Sequence, residues 1–221
     1  MPINTKYDGY DLAINKVTRV RDFADGEYSV KDKEEEYLPK LGGQTKDDYD
    51  AYLTRGFIIP SVEPTAMAIA GSIMRKPAVF DPDSSLDYMI DDIDGNGLSA
   101  QSFVGNIIKE LLYAGSGGYL VEFTDKAIVK SYTKESIINV SDDYIILTQE
   151  YTVQDEKDRY MQETKKEYLE LTYDESGYYI QNLWREGKGK KGFTIVDTFM
   201  PTNRGEPLTE IPFVFSNDLL A

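Results

Sequence analysis

The hydrophobic period of this chain changes at Gly115-Ser116-Gly117-Gly118, and that change constrains what can be built on either side. Before it, apolar residues recur at three and four positions; after it, they alternate with polar ones. Upstream, Phe103, Val104, Ile107, Ile108, Leu111 and Leu112 share one helical face and Lys109 lies outside it, so a continuous, largely buried core helix is expected over 99–114. Burial of that face would make Ile108→Asp cost about 3 kcal/mol or more. Ser99 is placed to accept from the free N–H groups of the first turn, and Gly115 to take the left-handed conformation that ends the helix. Tyr119-Leu120-Val121-Glu122-Phe123 then reads as a buried strand. Helix, glycines, strand is the reverse of P-loop order and no Gly-Lys-Ser/Thr follows, so the glycines are read as structural.

The helix is launched by Asp92-Ile93-Asp94-Gly95-Asn96-Gly97-Leu98-Ser99, whose first half matches a calcium loop, with oxygen ligands at Asp92, Asp94 and Asn96 and a turn at Gly97. The second half fails: the closing bidentate carboxylate is replaced by Phe103, and Ala100 occupies another ligand position. A plain turn feeding a helix is the preferred reading, and no stoichiometric calcium site is expected. Asp87, Asp91, Asp92 and Asp94 crowd together there, but an acidic run in a loop is ordinarily hydrated rather than catalytic.

The remaining N-terminal half also reads as helical. Over 8–25, Tyr10, Ala13, Ile14, Val17 and Val20 form one face, and Gly26 stops the helix. Residues 27–43 read as a charged loop tethered by Tyr37, Leu38 and Leu41, with 31–36 solvated. Thr45-Lys46-Asp47-Asp48 is a capping box with Asp in place of Glu, opening a short helix to about Phe57. After Pro60, Ser61 can cap a second helix carrying Val62, Ala66, Met67, Ile69, Ala70, Ile73 and Met74, whose small residues, Gly71 included, would admit a close neighbour. Arg75 and Lys76 suit its negative end and Pro77 stops it. Ala78-Val79-Phe80 reads as a short strand, and Leu86, Met89 and Ile90 as a short helix.

Beyond Tyr119, strands are expected at 127–129, 137–140, 144–153, 167–173, 178–184 and 193–199, forming an antiparallel meander with one buried face. Asp174-Glu175-Ser176-Gly177 closes one hairpin; Gly187-Lys188-Gly189-Lys190-Lys191-Gly192 closes the next, its lysines read as solvated. The fold class is therefore α+β: N-terminal helices over 1–117 packed on a C-terminal antiparallel β-meander over 118–221, two parts of one body. The apolar Ile211-Pro212-Phe213-Val214-Phe215 and Leu219-Leu220 have nothing after them to cover them, so the chain is expected to stop partway through a larger protein.

Composition narrows function. Without cysteine there is no disulfide or thiolate chemistry, and without histidine the usual general base and commonest metal ligand are missing. A formal charge of -15 opposes a groove that grips nucleic acid through its phosphates. No apolar run approaches the length that crosses a bilayer. No catalytic, cofactor-binding or metal-ligating residue is assigned.

Segments spread along nearly the whole chain, in one order, carry a resemblance. They are Arg21-Asp22 with Gly26, Tyr37-Leu38-Pro39, Tyr49-Asp50-Ala51-Tyr52 with Arg55, the stretch from Gly71-Ser72-Ile73-Met74 through Arg75-Lys76-Pro77, Asp92-Ile93-Asp94-Gly95-Asn96-Gly97 with its helix, Gly117-Gly118-Tyr119-Leu120-Val121, Ile137-Ile138-Asn139, and Ile211-Pro212-Phe213-Val214. As a set this resembles a family of tailed-phage portal proteins, with Val140 standing where a tryptophan is expected. The resemblance implies the wing-like α/β body of a ring-forming, usually dodecameric structural subunit at the capsid portal vertex, assembled in the host cytoplasm. It implies no enzyme activity and no cofactor. Its partners would be further copies of itself, the major capsid or scaffolding protein, terminase, a head-completion adaptor, and double-stranded DNA passing without sequence readout. Stem helices and a terminase-facing clip would lie outside these residues, so the chain alone is expected to fold without closing a stable ring. The alternatives are a capsid-associated or adhesive β-rich binding module without a channel and, more remotely, a calcium-regulated protein.

Overall fold

The computed structural model describes residues 2–123, 125–154, 158, 160–187 and 192–217. Its N-terminal half holds helices α1 (Tyr10–Asp25), α2 (Glu27–Lys31), α3 (Lys46–Arg55), α4 (Val62–Ile73) and α5 (Ala100–Ala114), with short 3-10 turns at Glu34–Glu36 and Ser84–Ile90. The C-terminal half holds strands β1 (Gly117–Phe123), β2 (Ala127–Thr133), β3 (Ile137–Ser141), β4 (Tyr144–Gln154), β5 (Gln162–Tyr173), β6 (Tyr179–Glu186), β7 (Phe193–Phe199), β8 (Thr202–Asn203), β9 (Glu206–Pro207) and β10 (Phe213–Phe215). The α+β class and the helix-then-sheet order stand as read.

Local signals placed most of these elements. Thr45 and Asp48 form the reciprocal capping box that starts α3. Ser99 accepts from the Ser102 N–H at 3.2 Å to start α5, and Gly115, at φ 76°, ends it. Gly26 ends α1 at φ 105°, a conformation that suits glycine. Ser61, by contrast, makes no side-chain cap bond to α4. The 174–177 turn closes as expected, with Asp174 accepting from the N–H groups of Ser176 and Tyr178. At the 187–192 turn Gly187 donates to the Gly192 carbonyl; its lysines lie outside the described residues.

The antiparallel meander is present, but it does not take in every strand. β3 to β7 form a five-stranded antiparallel sheet in sequence order, whereas β1 and β2 belong to a separate three-stranded sheet completed by β10. Nor is there a single buried face. Ile137, Ile145, Leu147, Leu169, Leu171 and Tyr179 point from the large sheet toward Leu120 and Tyr132 of the small one. Their neighbours Ile138 and Ile146 point the other way, beneath Ile3 and Tyr10. Alternation along a strand sends successive side chains to opposite faces, so β3 and β4 read as apolar runs because each face has a cover. The N-terminal segment is stitched to that second face: Tyr7 N–H donates to the Ile138 carbonyl at 2.9 Å, and Asn139 donates to the Thr5 carbonyl at 3.0 Å.

The apolar close at 211–215 is covered after all. As β10 it pairs with β1, and Phe213 and Phe215 pack on the inter-sheet core. Phe213 passes so close over Gly118 that any β-carbon there would collide with its ring, which is why that position needs glycine. Leu219 and Leu220 lie outside the described residues.

Four further expectations are corrected. Helix α5 is continuous, but only Ala100, Phe103 and Ala114 are buried and Leu112 is exposed, so it is a half-covered helix beside the sheets rather than a core element. The stretch 27–43 is not all loop, because Val30 on α2 is fully buried there. Tyr37 does tether it, donating to Asp22 at 2.6 Å, and the Leu38 carbonyl accepts from Tyr49, whereas Leu41 is exposed. Residues 78–80 form no strand.

Candidate assembly surface

Several of the segments that carry the resemblance are joints of the fold. Arg21 on α1 reaches Glu110 on α5 at 2.7 Å and Glu135, in the 3-10 turn before β3, at 2.5 Å, so one guanidinium ties two helices to the sheet. Burial, the largest single influence, raises the Glu135 carboxyl; the Arg21 hydrogen bond and charge, with hydrogen bonds from its own backbone N–H and Thr133, together outweigh it and hold the group below its ordinary range. Asp22, Tyr49, Gly118 and Asn139 hold the contacts described above, and the Pro212 carbonyl accepts from Val121 N–H at 2.9 Å. Each has a structural reason to be what it is.

The acidic turn is also internally occupied. Asp92 accepts from Gly97 N–H at 2.7 Å and from Lys126 at 2.7 Å; Asp94 accepts from the N–H groups of Asn96 and Leu98. Lys126 with the Gly97 N–H holds the Asp92 carboxyl below its ordinary range, and the Asn96 and Leu98 N–H groups do the same for Asp94. Oxygens engaged in this way shape the turn that positions α5. Among the described residues no group of three or more acidic side chains is placed to hold a metal ion.

The region from 57 to 79 has no comparable internal account. Helix α4 packs on α1 and α5 through a narrow stripe in which only Ala66 is buried, pinned by Glu63 to Lys109 at 2.9 Å. The rest is bare: Phe57 is 76% exposed, Met67 54%, Ile69 42%, Ile73 57% and Val79 93%. Ile69 and Ile73 stand one turn apart as a ridge flanked by Thr65, Ala68 and Ser72. Apart from Glu63, Thr65 and Ser72 the helix is apolar or glycine, and a helix of that composition ordinarily lies inside a larger body or a membrane. Twelve residues at 1.5 Å each reach only about 18 Å, and among the described residues no helix is long and apolar enough to cross a bilayer. Gly71 faces open space, so the close neighbour anticipated there is not found among the described residues. At the end of the helix Arg75 and Lys76 are exposed, and neither makes an ion pair among the described residues.

A second bare apolar region lies at the far edge of the large sheet. Strand β7 pairs only with β6, and Ile195, Val196, Phe199 and Met200 around it are exposed. Beside it the two sheets separate into a groove of about 320 Å³, with Phe123, Leu169, Leu183 and Phe199 on its walls. Its rim carries Glu122, paired with Lys130 at 2.7 Å, and Asp197, which makes no ion pair among the described residues.

Sequence reading missed Phe57, Ile59, Val79 and β7 as surface features, because apolar residues were assigned to a single core. The available signal was α4 itself, in which only Glu63, Thr65 and Ser72 of twelve residues are polar. Neither a scan against protein-family models nor a search of curated proteins finds a match to the chain.

Proposed function

We propose that this chain is a structural subunit of a tailed-phage portal ring, contributing the wing-like body around the channel through which DNA is packaged and ejected. In this reading it sits at the portal vertex of the virion after assembly in the host cytoplasm. It catalyses nothing, binds no cofactor, and offers docking surfaces to terminase and then to a head-completion adaptor. The observation that carries it, beside the ordered resemblance, is the apolar surface on 57–79. Phe57, Ile59, Met67, Ile69, Ile73 and Val79 are all exposed, and large apolar side chains left bare in such density along one stretch are what a partner-covered surface presents. A charge of -15 agrees with a wall along which a polyanion slides without being held.

Negative-stain images of the protein expressed from its complete coding sequence test the reading. Closed rings of uniform subunit number are expected. Particles of monomer size at micromolar concentration would refute it and favour a capsid-associated or adhesive module.

A further inference from the structure

The two bare apolar regions sit on different layers of the fold. Helix α4 is held against α1 and α5, whereas β7 and the groove beside it lie at the edge of the large sheet remote from β3. A chain with two unlike sticky surfaces on separate elements is suited to head-to-tail association, in which one surface of each copy meets the other surface of the next. Their chemistry is complementary. The α4 ridge is apolar and ends in the exposed cations Arg75 and Lys76, while the groove has apolar side chains on its walls and a rim where Glu122 is already paired with Lys130 and Asp197 makes no ion pair among the described residues. In so acidic a protein most surface contacts between copies would be repulsive, and placing the exposed cations of one copy against a carboxylate rim of another selects this pairing over ridge to ridge or groove to groove.

We propose that the Ile69–Ile73 ridge of one copy seats in the groove between the two sheets of a neighbouring copy, with Arg75 and Lys76 facing Asp197. This rests on the ring reading and specifies its contact. The apolar ridge supplies the affinity and the charges set direction.

These 221 residues contain no cysteine that could compete with the introduced pairs. The full protein carrying Ile69→Cys together with Leu183→Cys, and separately Ile73→Cys with Phe199→Cys, is oxidised and run on non-reducing gels, with melting temperatures confirming that each variant folds. At least one double variant should give a ladder of three or more covalently joined copies, and each single variant no ladder. Efficient dimers from Ile69→Cys alone would show ridge meeting ridge and overturn the pairing. Rings in the images without a ladder from either double variant would overturn the pairing while leaving the ring reading intact. No rings and no ladder would remove both. As an independent arm, the charge reversal Asp197→Lys should weaken assembly several-fold and be rescued by Arg75→Glu with Lys76→Glu; absence of rescue contradicts the proposed direction.

Discussion

The sheets and the α4 limb use similar apolar residues in opposite ways. In the sheets Leu120, Ile137, Leu147, Leu171 and Tyr179 are fully enclosed, and the covering elements come from sequence as distant as Ile3 and Phe213. Along the limb, one side chain of α4 is buried and its isoleucines face outward. Apolar content alone therefore does not report burial. What separates the regions is whether the described residues provide the cover; where they do not, the proposal is that another copy provides it.

The comparison can be broken most severely at the sheet interface. Leu147→Asp places a charge between two sheets with no partner and should cost about 4 kcal/mol or more, seen as loss of cooperative melting. If the domain tolerates it, the inter-sheet core is not what holds the fold. Ile108→Asp on half-covered α5 should cost less, about 2 kcal/mol, because water can still reach the charge.

At the junction of helices and sheet, Arg21→Ala leaves Glu110 and Glu135 without their cation. The site is partly open to solvent, so about 1–2 kcal/mol is expected rather than the cost of a dry ion pair. The sign of the pH dependence follows from Glu135. Its folded-state value lies below the ordinary 4.5, so its contribution is fully present above that pH and is lost as pH falls through the lowered value. The stability gap between wild type and Arg21→Ala should therefore be widest near neutrality and narrow below about pH 4.5. A gap constant from pH 7 to 3 in chemical denaturation would mean that Glu135 does not respond to Arg21. Smaller still, Ser99→Ala should cost about 1 kcal/mol through loss of the α5 cap, read from the denaturation midpoint.

Much of this layout was legible in the sequence, and the pattern of what was not is instructive. Caps and stops at Thr45, Ser99, Gly26 and Gly115 act within a few residues and could be read directly. The period of two marked the strands, but period says nothing about which strands pair. The departure of β1 and β2 into their own sheet depends on β10, about ninety residues downstream. One buried face was inferred because the cover over Ile138 and Ile146 comes from Ile3, whose surroundings have no strand or helix signal, and from Tyr10 and Ile14 of α1, whose helical period does not say what it packs on. Helix α5 looked like the core because its apolar face is broad, yet the enclosed volume lies between the sheets. The bare surface on 57–79 was hidden for the same reason: an apolar helix reads as interior until a structure shows that none of the described residues lies over it.

The central claim, that this limb is covered by another copy, is tested most directly by sedimentation velocity on the complete protein and on its Ile69→Glu/Ile73→Glu variant. These exposed positions carry little of the fold, so the variant should match wild-type stability to within about 0.5 kcal/mol. The account predicts that wild type sediments as a large closed assembly and the equally stable variant as a monomer. A variant that assembles as wild type does would show that the α4 ridge is not the contact surface.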